Sequence, residues 1–376
     1  MITVVVPTVG RPSLAATLAA LDPGLDVIVV DDRPAGARTA PLPVPDGVRT
    51  VRSGGRGPAA ARNAGWRAAD TPWIAFLDDD VIPAPGWAKT LHADLDGLPA
   101  EVAGSQGRIH VPPPEGGRPT DDERATAGLA RSRWITADMA YQREALERVG
   151  GFDERFPRAY REDADLALRV TAAGYRLVRG ERVTSHPFRD DGPWASVRRQ
   201  RGNADDALMR RLHGPAWRMA VGGGAGRLRR HALITCLGGL AVLAGALPVI
   251  AGIAGPGAPA RGRASGPARG RGRAAGPVWN RGLPGVPGRA HGRRVLTPVL
   301  PERGRGPART LARGVAAAAG AGWLALTAEF AWARIAPGPR TPAEIGRMLL
   351  TSVLIPPAAC AHRLRGELRV RLWRAP

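Results

Sequence analysis

The chain has 376 residues, 44% of them hydrophobic, enough for a sizeable core and for more than one structural unit. Its net charge of +21 is unevenly placed: residues 1–215 carry 29 basic and 29 acidic side chains, whereas residues 216–376 carry 25 basic and only 4 acidic. Attraction to nucleic acid or anionic lipid therefore belongs to the C-terminal part alone. The only two cysteines, Cys236 and Cys360, lie in apolar surroundings, which excludes a disulfide framework and fits a reducing compartment.

Ile2–Val6 reads as a buried strand ended by Pro7, and it begins too soon after Met1 for a basic, secretory leader. Thr8 to Ser13 then lead into a helical run, Leu14–Leu21, with Ser13 placed as its N-cap. A second buried strand, Asp26–Val30, ends in the acids Asp31 and Asp32. Strand, helix, strand with polar residues at the strand ends is the pattern of an open α/β sheet, whose ligands bind at the carboxyl edge. A third strand, Val48–Arg52, is followed by a glycine-rich loop and the helix Ala59–Ala69. Pro58 stands at its first helical position, and Arg56 and Arg62 are near enough to add charge to a phosphate site there.

The apolar run Trp73–Leu77 ends in three consecutive carboxylates, Asp78, Asp79 and Asp80. Three acids at a strand end are costly unless a cation, donors or water receive them. Aspartates of this kind suit a hard divalent cation such as Mg²⁺ or Mn²⁺, which usually arrives with a phosphate. Beyond them the sequence predicts a helix from Trp87 to Leu95, a strand at Val102–Ile109 and a mobile loop over 112–128. A strand at Asp138–Tyr141, a helix Arg143–Val149 and a helix from Ala164 onward follow, the last with Glu162 and Asp163 at its N-terminal end. A strand pair then leads to His186, and one basic helix, Ser196–His213, closes the unit near Pro215.

The order and spacing of Val4–Thr8, Val29–Asp32, Gly57–Pro58 with Ala61–Gly65, Phe76–Asp80, Gly150–Glu154 and Glu162–Asp163 with Asp165, Leu166 and Arg169 resemble glycosyltransferase family 2. The resemblance covers residues 1–215. It implies an α/β GT-A domain, Rossmann-like, that transfers sugar from a nucleotide-diphosphate donor with inversion. It further implies that Asp32 contacts the nucleotide base with Asp31 beside it, that Pro7 and Thr8 shape the nucleotide pocket, and that Arg62 steadies the diphosphate or the acidic triplet; Arg56, from its place in the glycine loop, is expected to bind the donor as well. Asp80 would be the direct metal ligand, with Asp78 nearer the ribose at the metal's edge and Asp79 dispensable in charge. His186 would be a further metal or diphosphate contact. Asp163, next to Glu162, would be the catalytic base, and Asp138 stands where the family carries Asn. The cofactor implied is Mn²⁺ or Mg²⁺, and the acceptor a carbohydrate or lipid-linked hydroxyl in cell-surface polysaccharide or glycolipid synthesis. A membrane-associated scaffold without activity is the alternative; keeping the whole acid set speaks against it. A dehalogenase-type phosphotransferase or a receiver domain would need a downstream lysine, but the only lysine is Lys89. A glycosidase would leave the acid triplet unexplained.

In the C-terminal part, 216–255 holds a basic segment and the uncharged run Leu233–Ala254, long enough to span a bilayer though broken by Pro248. Residues 256–313 carry 13 arginines and one acid among Gly, Pro and Ala, the composition of a disordered linker or of a misread frame, and without interleaved aromatics no specific nucleic-acid site is expected. One span at Leu233 would leave this basic stretch outside, against the positive-inside tendency, so a re-entrant or interfacial hairpin fits better. Residues 314–376 read as helices, with Val315–Ile335 a weaker span and Met348–Ala361 too short to cross. The expected location is the cytoplasmic face of the membrane, with the cytoplasm as second choice.

Overall fold

The computed structural model describes residues 1–34, 36, 41–114, 117–253 and 305–372. The expected linker therefore lies outside the described residues over 256–304, as does Ala254. The elements in chain order are β1 (Ile2–Thr8), α1 (Ser13–Ala19), β2 (Asp26–Asp31), β3 (Arg49–Arg52), α2 (Pro58–Arg67), β4 (Trp73–Leu77), β5 (Ile82–Pro83), α3 (Trp87–Leu95) and β6 (Val102–His110). They continue with α4 (Asp121–Ala127), β7 (Asp138–Gln142), α5 (Arg143–Val149), α6 (Glu162–Ala172), β8 (Arg176–Ser185), α7 (Ala195–Arg198), α8 (Gly202–His213), α9 (Trp217–Ala220), α10 (Leu228–Ile253), α11 (Arg305–Ile335) and α12 (Pro342–Leu372).

The strands form one mixed sheet in the order β3-β2-β1-β4-β7-β6-β8-β5. The first four are parallel; β7 runs against both β4 and β6, and β6 and β8 are parallel to each other. The carboxyl ends of β1, β2, β4 and β8 and the start of β7 consequently share one edge. Register fixes this: Thr8 pairs with Asp31, and Leu77 with Asp138. Side-chain alternation divides the core between the two faces. On one, Val5, Ile28, Val30 and Phe76 pack with Ala61 and Trp66 of α2 and with Leu166 and Val170 of α6. On the other, Val4, Val6, Val29 and Leu77 pack with Leu14 and Leu18 of α1 and with Trp87 and Leu91 of α3. Each such buried apolar side chain contributes about 1.5–3 kcal/mol. Helix α2 lies so close to the sheet that a Cβ at Gly65 would stand 2.3 Å from a Val5 methyl.

Four local expectations change. Pro12 is already helical and no side chain caps α1, so Ser13 is the first helical residue and not the N-cap. The span 112–128 is not all loop: Thr120 and Glu123 close a reciprocal capping box that starts α4, with Asp121, Asp122 and Glu123 favourably placed in its first turn. The closing basic helix is broken into α7, a 3₁₀ turn at Arg199–Arg201 and α8, and a Cβ at Gly202 would sit 2.6 Å from the Tyr160 ring. Residues 305–313, assigned by composition to the disordered stretch, lie in α11.

By contacts the chain divides into residues 1–237 with 321–376, and residues 238–320. In the first unit the C-terminal helices return to the sheet domain. Helix α12 packs along α7 and α8, and Gly366 permits this, since a Cβ there would meet the Ala204 carbonyl oxygen at 2.5 Å. It runs unbroken through Pro356 and Pro357, so the expected short segment Met348–Ala361 is part of a 31-residue helix. Among the described residues, two helical stretches, Ala308–Ile335 and Pro342–Leu372, are by length and composition long and apolar enough to cross a membrane.

Candidate active site

A cleft of about 410 Å³ opens at the carboxyl edge of the sheet. Of the residues singled out in the sequence, Pro7, Thr8, Asp32, Arg62, Asp78, Asp80, Glu162, Asp163 and His186 line it; Asp31 and Arg56 do not. Asp31 is turned to Arg33, which grips it at 2.8 Å, with Arg52 at 3.6 Å, and these guanidinium groups hold its carboxyl below the ordinary range. Arg56 spans instead to Glu154 at 3.0 Å. Asp32 accepts from the Ser53 hydroxyl at 2.7 Å and from the Gly57 N–H at 3.0 Å, which ties the glycine loop to the end of β2.

The three acids after β4 have three different environments. Asp79 is 2% exposed and receives the Thr8 hydroxyl at 2.5 Å and Arg11 at 2.6 Å. It joins the ends of β1 and β4, so the residue expected to be dispensable is a buried, paired charge. Asp78 accepts from Arg62 at 2.7 Å. Asp80 faces the cleft: Arg189 reaches it at 2.9 Å, Arg11 at 3.8 Å and the His186 Nε2 at 3.8 Å. Burial and the nearby Asp78 carboxylate push Asp80 above the ordinary range, opposed by His186 and Arg11.

The donor set at this point fits a divalent cation. His186 Nδ1 stands 3.1 Å from the Pro187 carbonyl oxygen. With the proton on Nδ1, that contact fixes the tautomer and leaves the Nε2 lone pair facing Asp80. One carboxylate and one imidazole 3.8 Å apart can share an ion whose ligands sit at about 2.1 Å, and Mg²⁺-type sites commonly take their other ligands from substrate phosphates and water. Among the described residues no group of three or more metal-ligating side chains occurs.

The opposite wall is the N-terminus of α6. Arg161 precedes it with φ +79°, a left-handed conformation that a non-glycine residue adopts only under constraint. The constraint is visible: its guanidinium stacks 4.2 Å from the Tyr160 ring centroid and 4.7 Å from that of Trp217, and bonds Asp206 at 2.9 Å. This turn presents Glu162 and Asp163 in succession. Between them and the β4 acids lies Arg62, 1% exposed, which reaches Glu162 at 2.8 Å and Asp78 at 2.7 Å. One guanidinium thus faces three carboxylates. Burial and the charge of Asp163 push Glu162 up to about 8 against the pull of Arg62; burial also raises Asp163, while the Ala164 N–H at 2.6 Å and Arg62 favour its ionised form. Glu162 is buried and keeps an unpartnered Oε2, whereas Asp163 is half-buried and opens on the cleft. Glu162 is therefore the better holder of a proton and Asp163 the better acceptor of one.

Asp138 is not at the cleft. Fully buried, it accepts from Arg182 at 2.7 Å, Trp87 at 2.8 Å and Thr184 at 2.5 Å, an internal link between α3, β7 and β8. Sequence reasoning missed Arg11 and Arg189. Each lies a few residues past a strand end, and nothing in their neighbours marks them; only the turn of the chain brings both to Asp80.

The parallel strands β3-β2-β1-β4 and the antiparallel β7, with acids gathered at one edge, have the arrangement of the GT-A fold. Residues 3–158 match the family model of Glycosyl transferase family 2. The pre-mycofactocin glycosyltransferase of Mycobacterium tuberculosis is 33% identical over 194 residues, 47% of this chain and 40% of that protein. The chain thus spans well under two thirds of the length of the curated relative it matches. Among solved structures, the Pyrobaculum calidifontis mannosyltransferase PcManGT, in complex with GDP-Man and Mn²⁺, aligns over 96% of this chain and 86% of its own at 18% identity and a TM-score of 0.48. Glucosyl-3-phosphoglycerate synthase from M. tuberculosis aligns over 54% and 77% at 20% identity and a TM-score of 0.38.

Proposed function

We propose that this chain is an inverting, metal-dependent glycosyltransferase that moves a sugar from a nucleoside-diphosphate donor to a hydroxyl acceptor. One observation carries the reading: a single cleft sets a cation-ready pair, Asp80 and His186, across from a raised carboxylate, Asp163, with the buried Arg62 between the two acid groups. A divalent cation held there by Asp80 and His186 would supply charge neutralisation for a departing diphosphate. The chain's own residues divide the remaining work. Asp32 and the Gly57 loop it holds form the floor at the nucleotide end, Arg11 and Arg189 add positive charge beside the diphosphate position, and Asp163 takes the proton of the attacking hydroxyl. General-base catalysis is most effective when the base titrates near working pH, and the elevated Asp163 suits it. Separate acids for leaving group and nucleophile fit a single displacement with inversion. The likeness to a named glycosyltransferase supports glycosyl transfer as the reaction class.

We further infer attachment to a membrane and an acceptor belonging to surface polysaccharide or glycolipid synthesis. Support comes from the two long apolar helical stretches and from the exposed Leu349, Leu350, Val353 and Leu354 along α12. The deciding measurement is binding of a panel of UDP-, dTDP- and GDP-sugars to the full chain with and without Mn²⁺, followed by product stereochemistry. Metal-dependent binding of at least one donor, weakened in Asp80→Asn and kept in Asp163→Asn, is the expected result. No binding of any nucleotide sugar under either condition overturns the assignment.

A further inference from the structure

The segment Arg158–Tyr160 lines a second cavity of about 1110 Å³, and Ala159 forms part of its wall and of the wall of the first cleft. Nine arginines and a single carboxylate, Asp206, line it. Asp206 is already neutralised by Arg161 at 2.9 Å and by Arg218. Arg158, Arg199 and Arg363 are likewise engaged by Asp205, Asp122 and Glu367. Arg201, Arg210 and Arg229 line it, are exposed, and make no side-chain hydrogen bond or ion pair among the described residues.

Two further features point the same way. His231, 7% exposed, lies on this wall with its Nδ1 buried and unpartnered. Helix α10 begins here with Arg229 and Arg230 after Arg227 and no acid in its first turn, which places cations where the helix dipole favours anions. Like charges gathered in a concave wall repel one another and focus a positive potential into the cavity. A ligand with phosphate oxygens would relieve both, because guanidinium groups bond phosphate in a forked, charge-assisted geometry.

We propose that this cavity is an anion site, separate from the transfer cleft, that takes a phosphate-bearing group through Arg201, Arg210 and Arg229. The group comes either from a lipid headgroup or from a soluble phosphate compound. Neither the metal pair nor Asp163 takes part, so the site stands or falls apart from the transferase assignment.

The test uses the full chain at fixed ionic strength in EDTA. Inorganic pyrophosphate is titrated while the fluorescence of the protein is followed, Trp217 being part of the wall, and sedimentation with phosphatidylglycerol vesicles is compared with phosphatidylcholine vesicles. Saturable pyrophosphate binding is expected, weakened at least tenfold by R210Q/R229Q and changed less than twofold by R309Q/R313Q, which removes the same charge from exposed positions elsewhere. Vesicle binding that pyrophosphate displaces and R210Q/R229Q abolishes identifies the lipid source; pyrophosphate binding without it identifies the soluble one. Equal losses in the two double variants, or no saturable binding in either assay, would show only diffuse attraction to a basic surface and overturn the proposal.

Discussion

The cleft and the seam between α4 and the C-terminal helices are both built from aspartate, glutamate and arginine, with opposite balances. In the cleft three carboxylates share the one buried guanidinium of Arg62, and Glu162 and Asp163 are pushed up. In the seam arginines are in excess. Asp121 meets Arg334 at 2.8 Å and Arg124 at 3.3 Å, Asp122 meets Arg199 at 2.5 Å and Arg347 at 3.0 Å, and Asp121 is held below the ordinary range. Arg334 also bonds Ser196, Thr351 and Ser352, so one side chain links α4, α7, α11 and α12. A surplus of acid leaves a group able to accept a proton or a cation, whereas a surplus of arginine leaves a clamp. Helix α4 adjoins both regions, since Thr126 lines the cleft while Asp121 and Asp122 sit in the seam.

The largest expected effect separates the two most sharply. Asp163→Asn should lower kcat by about 10²–10⁴-fold, the usual range for loss of a general base, with donor affinity unchanged in equilibrium binding. Loss of donor binding along with transfer would make Asp163 structural and erase the distinction. Next, Arg62→Met should destabilise the fold by roughly 3–5 kcal/mol in denaturant titration, because the buried Glu162 and the neighbouring Asp78 lose the guanidinium that bonds them both. Arg334→Ala should cost less, about 1–3 kcal/mol, since Asp121 keeps Arg124 and Arg199; a cost equal to that of Arg62 would show the excess in the seam to be illusory.

The last expected effect is a pH dependence with opposite signs in the two regions. Glu162 is raised in the fold from its ordinary 4.5 to about 8, so its contribution is fully favourable below 4.5 and is lost as pH rises through about 8. Asp121 is lowered from 3.8, so its contribution is present above 3.8 and is lost as pH falls through its depressed value. Glu162→Gln should flatten the decline in stability between pH 5 and 8 while leaving the acid limb in place. An unchanged slope in that variant would mean that Arg62 keeps Glu162 ionised.

Much of the sheet could be read from the chain because buried parallel strands demand continuous apolar runs, and Val4–Val6, Ile28–Val30 and Ile74–Leu77 supply them. Acids placed directly after such runs can only lie at the carboxyl edge, so Asp32, Asp78 and Asp80 were legible as a group. Glu162 and Asp163 were legible as the start of a helix, and the Thr120–Glu123 capping box was present in the sequence though overshadowed by the Pro, Gly and charge around it. What the sequence by itself determined was therefore the strand order along the chain and the ends at which polar residues emerge, because both follow from local periodicity. Only the tertiary structure decided which partners each acid meets. Asp31 and Asp79 look the same as Asp32 and Asp80 in the sequence, yet Arg33 and Arg11 neutralise the first two, and Arg189 and His186 reach Asp80 from a loop more than a hundred residues away. Pairing of charges depends on distance through space, and distance through space is what a linear pattern does not contain.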